Sequence, residues 1–194
     1  MAEPIARTAH GDAPLSAAHK PDVQALSGEG WDVRAGDKVV GRTVTINRPR
    51  QELYDFWKEP RNLSAFMHSV RSVTSLDEGR SHWIIEAPGG RTVESDAEIP
   101  GDQPGRLLAW RSLEGADIRH GGRVEFRDSP DHRGTCVTVT VTYDPPGGSV
   151  GQLVARLFQK EPKLQAQQEL RRFKQLMETG EVATARPPDA APRA

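Results

Sequence analysis

The stretch VTVTVTYDPPGGSVGQLVARLF, residues Val137 to Phe158, contains two periodicities that meet at a chain reversal. Valines alternate with threonines up to Tyr143, which predicts a β-strand with one apolar and one polar face. The turn-forming residues Asp-Pro-Pro-Gly-Gly follow, and apolar residues then return at helical spacing. Ser149 and Gln152 match the pattern of a capping box at the start of a helix. We therefore expect a strand that turns directly into an amphipathic helix, which covers the apolar face of the sheet.

The predicted helix runs from Ser149 to Thr179 and carries one apolar stripe. Pro162 interrupts it, either as a kink or as the first turn of a second segment. Gly180 is a natural residue to end it. The stripe consists of Val150, Leu153, Val154, Leu157, Phe158, Leu170, Phe173 and Met177. Such a stripe predicts a helix that is buried along one side.

Upstream of this stretch, the sequence predicts one strand, two short helices and then a series of strands. Residues 39–46 alternate and are β-branched, which favours a strand. Pro49 opens a helix whose apolar face holds Leu53 and Trp57, and Pro60 ends it before a second short helix. Six strands follow, at 70–76, 82–87, 91–99, 106–113, 122–127 and 134–143. Their short connections, rich in Gly, Pro and Asp, predict antiparallel pairing.

Alternation within these strands predicts that one face of the sheet is apolar and the other is in contact with water. In the last strand Val137, Val139 and Val141 share one face, and the threonines share the other. The same parity places Leu108 and Trp110 on the apolar face. This face needs a cover, and the C-terminal helix is the element that can supply it.

Composition and charge exclude several classes of protein. The chain has 194 residues, a net charge of −1 and no continuous basic run, so we expect no binding to nucleic acid. The single cysteine, Cys136, excludes an internal disulfide and a cysteine-based metal cluster. No stretch has the apolar length of a signal peptide or of a membrane span. We therefore expect a cytoplasmic protein without an integral membrane segment.

The two ends of the chain have few residues that could form a core. Residues 1–36 are rich in Ala, Gly, Pro, Asp and His, and residues 181–194 are rich in Pro. We expect both segments to be disordered, because they cannot bury enough surface to offset the entropy of ordering. One folded domain over residues 37–180 remains.

Four segments resemble a known family: RTVTINRPRQELYDFWKEPRNLSAFM, RTVESDAEIPGDQPGRLLAWRS, GRVEFRDSPDHRGTCVTVTVTYDPPGG and ELRRFKQLMETGE. They are similar to the polyketide cyclase/dehydrase group of the START-like (Bet v 1-like, SRPBCC) superfamily, and the resemblance covers residues 39–181. It implies an α+β helix-grip fold. In that fold a curved antiparallel sheet wraps around a long C-terminal helix, and two short helices follow the first strand.

The resemblance also implies an elongated apolar cavity between sheet and helix, which in this superfamily holds lipids, sterols, quinones or polyketide chains. Inward-facing residues would then contact the ligand, although each of them can equally serve as core packing. Ser95 stands where the family often has a large aromatic residue, so it could enlarge the cavity or add a hydroxyl group to it. The candidate ligand-binding residues are Trp57, Phe66, Trp83, Ser95, Trp110, Phe126, Tyr143, Leu153, Leu157 and Phe173.

The sequence contains no convincing catalytic constellation, so whether the protein is an enzyme stays open. Polar residues that could orient or deprotonate a ligand are Tyr143, Tyr54, His120 and Arg111, with Arg111 on the polar face by parity. The six histidines are scattered, and neither a metal site nor a cofactor is expected.

The sequence leaves three possible functions open. The first is binding or carriage of a hydrophobic small molecule, such as a lipid, a quinone or a polyketide-like compound. The alternative is a polyketide cyclase/aromatase or a dehydrase, and a weaker alternative is a protein-interaction module that uses the polar sheet face. We expect a monomer or a weak dimer.

Overall fold

The fold is built on one antiparallel sheet of seven strands. The structure is a computed structural model, and it describes residues 38–77, 79–87, 90–117, 119–130, 133–143 and 162–182. The elements are β1 (Lys38–Ile46), α1 (Arg50–Lys58), a 3-10 helix (Pro60–Ala65), β2 (Val70–Ser75), β3 (Arg80–Ala87), β4 (Arg91–Gln103), β5 (Leu107–Ser112), β6 (His120–Asp128), β7 (Thr135–Tyr143) and α2 (Pro162–Thr179). The strand order is β1-β7-β6-β5-β4-β3-β2, so β2 to β7 form a meander and β1 pairs with the last strand.

This architecture confirms the α+β helix-grip fold that the sequence predicts. The curved sheet, the short helices after β1 and the C-terminal helix occur in the predicted order. The predicted first half of that helix, with Leu153 and Leu157, lies outside the described residues. No helix in the described part of the chain is long and apolar enough to cross a membrane.

The inner face of the sheet is the face that carries Val44, Ala97, Val124 and Val137, all of which are buried. Cross-strand pairing confirms the predicted parity, because Val137 of β7 is opposite both Val44 of β1 and Phe126 of β6. Side chains of α1 and α2 complete the core, with Leu53, Leu170 and Phe173 fully or almost fully buried.

Helix α2 is attached to both edges of the sheet. On the β1 side, Lys174 Nζ donates a hydrogen bond to the carbonyl oxygen of Thr45 over 2.7 Å. On the β2 side, Gln165 Nε2 donates to Ser69 Oγ over 2.9 Å. The helix therefore lies between the two edges of the sheet.

Three strands extend at least two residues beyond their predicted limits, and the first of them, β3, begins at Arg80 and not at residue 82. Strand β4 continues past Ile99 to Gln103, because a register shift between Glu98 and Gly101 accommodates Pro100 within the strand. Strand β6 begins at His120 and not at Gly122, which brings that histidine into the sheet opposite Tyr143.

The outer face is less exposed than the alternation predicts. Thr140 and Thr142 of β7 lie on this face, yet they are only 4% and 1% exposed. Thr140 is flanked in register by Arg123, whose guanidinium group pairs with Glu125 over 2.6 Å. Long charged side chains with apolar stems can cover small neighbours in this way, so a threonine there need not contact water.

Candidate functional site

The candidate site residues within the described part of the chain divide into two groups. The first is a cluster of aromatic rings from α1, the 3-10 segment, β6 and α2. Ring centroids are 4.9 Å apart for Phe66 and Phe173, 5.1 Å for Trp57 and Phe173, and 6.4 Å for Trp57 and Phe126. All four residues are buried. Because the rings contact one another as packed core residues do, ligand contact at these four positions stays a prediction.

The second group lies at the other end of the inner face and is more polar. Trp83 of β3 is the direct cross-strand partner of Ser95 of β4, and His120 of β6 is the partner of Tyr143 of β7. The rings of Trp83 and His120 meet edge to face, with centroids 6.4 Å apart and planes at 89°. Four strands thus contribute neighbouring side chains to one place, which we call the polar end.

Two side-chain atoms at the polar end are buried without a hydrogen-bond partner in the part of the chain that the structure describes. They are Ser95 Oγ and His120 Nδ1. Nearby groups do find partners, since Trp83 Nε1 donates to Ser81 Oγ over 2.9 Å and the His120 backbone N–H donates to Ser112 Oγ over 3.1 Å. A buried polar atom without a partner destabilises the folded state by about 1–3 kcal/mol. Such an atom is therefore a natural contact for a ligand.

The ionisable groups of the polar end are uncharged at neutral pH. Burial lowers the pKa of His120 to about 4, because desolvation disfavours the imidazolium. Burial likewise raises the pKa of the Tyr143 phenol, which keeps its proton. A neutral imidazole and hydroxyl groups can donate to or accept from a carbonyl or hydroxyl group without burying a charge.

Trp110 lies between the two groups. Trp110 is partly buried on the inner face, and its cross-strand partner is Gly122 of β6. A Cβ atom at position 122 would stand only 2.6 Å from Trp110 Cζ2, so the absence of a side chain at Gly122 leaves room for the indole at this place. The sequence places Trp110 on the correct face, but it does not reveal the close contact with the glycine.

The remaining predicted polar candidates lie elsewhere. The Tyr54 hydroxyl donates to Asp102, which also accepts a 2.9 Å hydrogen bond from Lys58 Nζ, and its ring packs against Phe126 in the aromatic cluster. Burial and the bond to Asp102 raise the pKa of Tyr54. Arg111 is on the outer face, as predicted, and its Nε donates to Glu98 over 2.6 Å. Neither residue reaches the polar end.

Sequence reasoning missed Arg42. This residue alternates with Val40 and Val44, so the pattern of β1 itself places it on the inner face. An arginine in an alternating strand usually faces solvent, so its residue type argues against the face that the alternation gives. Arg42 is only 9% exposed, which makes it one of the few buried charged residues of the described chain.

One surface pocket lies away from all candidate residues. It has a volume of about 360 Å³ and is formed where the chain leaves β1 and where β6 turns into β7. Asp128, Ser129 and Thr135 contribute to its wall, together with residues 47–49 and Gly134. Within the described ranges, no three His, Cys, Asp or Glu side chains are grouped as a metal site would require.

Comparison with known proteins gives a consistent result. The family model for polyketide cyclase/dehydrase and lipid transport matches residues 46–171. The crystal structure of DR_A0006 from Deinococcus radiodurans is 41% identical, with a TM-score of 0.60, and the match covers 74% of this chain and 99% of that chain. No curated protein matches the sequence.

Two more distant structures share the fold. TTHA0849 from Thermus thermophilus is 24% identical, with a TM-score of 0.53 over 72% of this chain and 94% of that chain. The Zhui aromatase/cyclase from a Streptomyces species is 14% identical, with a TM-score of 0.55 over 76% of this chain and 99% of that chain. At these identities the likeness concerns the fold alone.

Proposed function

Because the chain belongs to the polyketide cyclase/dehydrase and lipid transport family, we propose that it binds and carries a hydrophobic small molecule. The molecule, a lipid, a quinone or a polyketide-like compound, occupies a cavity between the inner face of the sheet and the C-terminal helix. The observation that carries the proposal is a pair of buried atoms beside Trp83, Ser95 Oγ and His120 Nδ1, which have no hydrogen-bond partner among the described residues.

The polar end has the composition of a small-molecule site. Such sites have mostly apolar and aromatic walls with a few polar groups that fix the orientation of the ligand. Trp83 and Trp110 supply the apolar wall, and Ser95, His120 and Tyr143 supply polar groups that stay neutral at pH 7. A ligand carbonyl or hydroxyl group would satisfy Ser95 and His120 and would remove the energetic penalty of leaving them unpaired.

Binding of an apolar fluorescent probe to the purified full-length chain tests the proposal. Ser95→Trp fills the space beside Trp83 and should weaken probe binding by about tenfold or more. If Ser95 borders a closed core instead, the added indole should lower the free energy of unfolding by about 1–3 kcal/mol. We expect the variant to keep the stability of the wild type, because the indole enters space that the ligand otherwise occupies. Glu94→Trp is the matched control, since Glu94 is the exposed neighbour on the opposite face of β4.

Two results would contradict carriage. One is the absence of saturable probe binding together with native mass spectra that show no co-purified small molecule. The other is a Ser95→Trp variant that loses stability and binds the probe as well as the wild type does. Either result would mean that Ser95 borders a closed core.

A cyclase, aromatase or dehydrase is the second candidate function, and the neutral His120 favours it. An imidazole nitrogen in an apolar site can accept a proton from the acidic methylene group of a poly-β-ketone. A pKa of about 4 makes His120 a weak base, however, so carriage remains the first proposal. Deuterium exchange at the methylene group of a simple β-diketone tests the base. An enzyme would be supported if the wild type exchanges faster than buffer alone and His120→Gln abolishes this acceleration. A wild-type rate equal to that of buffer would speak against an enzyme.

A further inference from the structure

Arg42 is a charged side chain on an otherwise apolar part of the inner face. Its cross-strand partner is Val139, and the adjacent inward residues of β1 are Val40 and Val44, all of which are buried. The arginine itself is 9% exposed. Its guanidinium group therefore belongs to the interior between sheet and helix and not to the outer surface.

This guanidinium group has no carboxylate partner in the part of the chain that the structure describes. Its one hydrogen bond there runs from an Nη atom to the carbonyl oxygen of its own neighbour, Gly41, over 2.7 Å. Arginines of the outer face differ, since Arg111 pairs with Glu98 and Arg127 pairs with Glu125. Among the described residues, the exposed arginines thus have carboxylate partners, whereas the buried Arg42, whose charge most needs one, has none.

An arginine keeps its positive charge in proteins, so only a partner can compensate the burial of its guanidinium group. It also has five N–H donors in a planar arrangement, which matches the two oxygens of a carboxylate. Among the described residues, the inner-face neighbours of Arg42 in β1 and β7 are valines and add no donors, which favours a singly charged head group over a phosphate monoester.

From these observations we propose that Arg42 binds the carboxylate of an amphiphilic ligand, so that the protein takes acids with an apolar body. The inference rests on the proposed function, because it assigns a head-group contact within the same cavity. The apolar body then lies along the inner face, and Ser95 and His120 at the polar end contact neutral oxygen atoms of the same molecule.

The test compares two probes that share one apolar body and differ in the charge of the head group, a dansyl-labelled undecanoic acid and its methyl ester. The wild-type chain should bind the acid at least about tenfold more tightly than the ester, as expected for a charge-assisted hydrogen-bonded pair. Arg42→Gln should remove this preference, with a larger loss of affinity for the acid than for the ester. Arg42→Lys should keep part of it, because an ammonium group retains the charge but not the planar donor geometry.

Arg111→Gln is the matched control, since it removes an exposed arginine from the outer face, and it should leave the ratio of the two affinities unchanged. Equal binding of acid and ester by the wild type would overturn the assignment of Arg42 and leave the carrier function standing. Binding of neither probe would instead refute the carrier function itself. The wild-type comparison decides even if an Arg42 variant fails to fold.

Discussion

The indole of Trp110 lies against the α-carbon of Gly122, its cross-strand partner on the inner face of the sheet. A Cβ atom at position 122 would stand 2.6 Å from Trp110 Cζ2 and 2.5 Å from the carbonyl oxygen of Thr140. Both distances are shorter than ordinary contacts, so any side chain at this position must displace the ring or the backbone. The position of Trp110, and with it the wall of the proposed cavity, therefore depends on a glycine in the adjacent strand.

Gly122→Ala should lower the free energy of unfolding by about 1–3 kcal/mol, as overpacking of a well-packed site does. It should also weaken binding of the apolar probe, because a displaced indole enters the space between sheet and helix. Chemical denaturation and probe titration measure the two effects.

The double variant Gly122→Ala/Trp110→Leu separates the two close contacts of position 122. If the ring is the main obstacle, the two substitutions together should destabilise the protein by less than the sum of the single effects. Additive effects would show that the obstacle is the Thr140 carbonyl group and that the ring does not depend on the glycine.

Phe173 of α2 should be a major contributor to stability. It is fully buried, and its ring contacts those of Phe56, Trp57 and Phe66. Phe173→Ala should lower the free energy of unfolding by about 3–5 kcal/mol, because it removes the ring and leaves a cavity. Gln168→Ala, at an exposed position of the same helix, should change it by less than about 0.5 kcal/mol. Similar small effects for both variants would mean that α2 does not close the core.

The fold could be predicted from the sequence because its two periodicities are strong and agree with each other. Alternation in β7 identifies the apolar face, and the helical spacing of Leu170 and Phe173 identifies the element that covers it. The end of β4 could not be predicted, since Pro100 normally ends a strand. It is tolerated here by a bulge, and a bulge depends on the neighbouring strand and not on the local sequence.

The candidate site could be predicted only in part. Parity places Trp83, Ser95 and Tyr143 on the inner face, but the contact between Trp83 and His120 depends on how far β6 extends and on its register with β7. Arg42 illustrates the opposite difficulty. Its face follows from the alternation of β1, yet the usual preference of charges for water argues against that face, and the cross-strand register decides the matter.

Glu178 should contribute to acid denaturation through the contact between α2 and β1. Burial alone would raise its pKa, but a 2.7 Å hydrogen bond from the Asn47 backbone N–H and a 2.6 Å one from Lys174 Nζ bring it below its usual value. A group with a lowered pKa stabilises the fold above its unfolded-state pKa, and this stabilisation is lost as the pH falls through the folded-state value.

Glu178→Gln should therefore reduce the loss of stability on acidification below about pH 4.5, the ordinary pKa of a glutamate. Denaturation curves at neutral and acidic pH measure the difference. Glu114→Gln, in an exposed turn, serves as the control for the substitution itself. An unchanged pH dependence in Glu178→Gln would show that these hydrogen bonds do not hold the carboxylate in its charged form.

His120 should make the free energy of unfolding depend on pH between about 4 and 6.5, a higher range than that of Glu178. The pKa of His120 is about 4 in the folded protein and 6.5 when unperturbed, so the unfolded chain binds more protons between these values. The contribution of His120 is therefore complete above pH 6.5 and is lost as the pH falls from 6.5 through 4. Between pH 7.5 and pH 5 the free energy of unfolding should drop by about 2 kcal/mol from this group alone.

Two histidines of the sheet, His120 of β6 and His82 of β3, allow a matched comparison. His120→Gln should abolish the drop between pH 7.5 and pH 5, whereas His82→Gln should retain it, because His82 lies on the outer face, where its Nδ1 contacts Asp96 over 2.6 Å. NMR provides a direct readout, since the imidazole resonances of His120 should stay constant from pH 8 to about pH 5. Titration of His120 near pH 6.5 would mean that water reaches its ring in the folded protein. In that case the unpartnered Nδ1 would no longer support a ligand contact at the polar end.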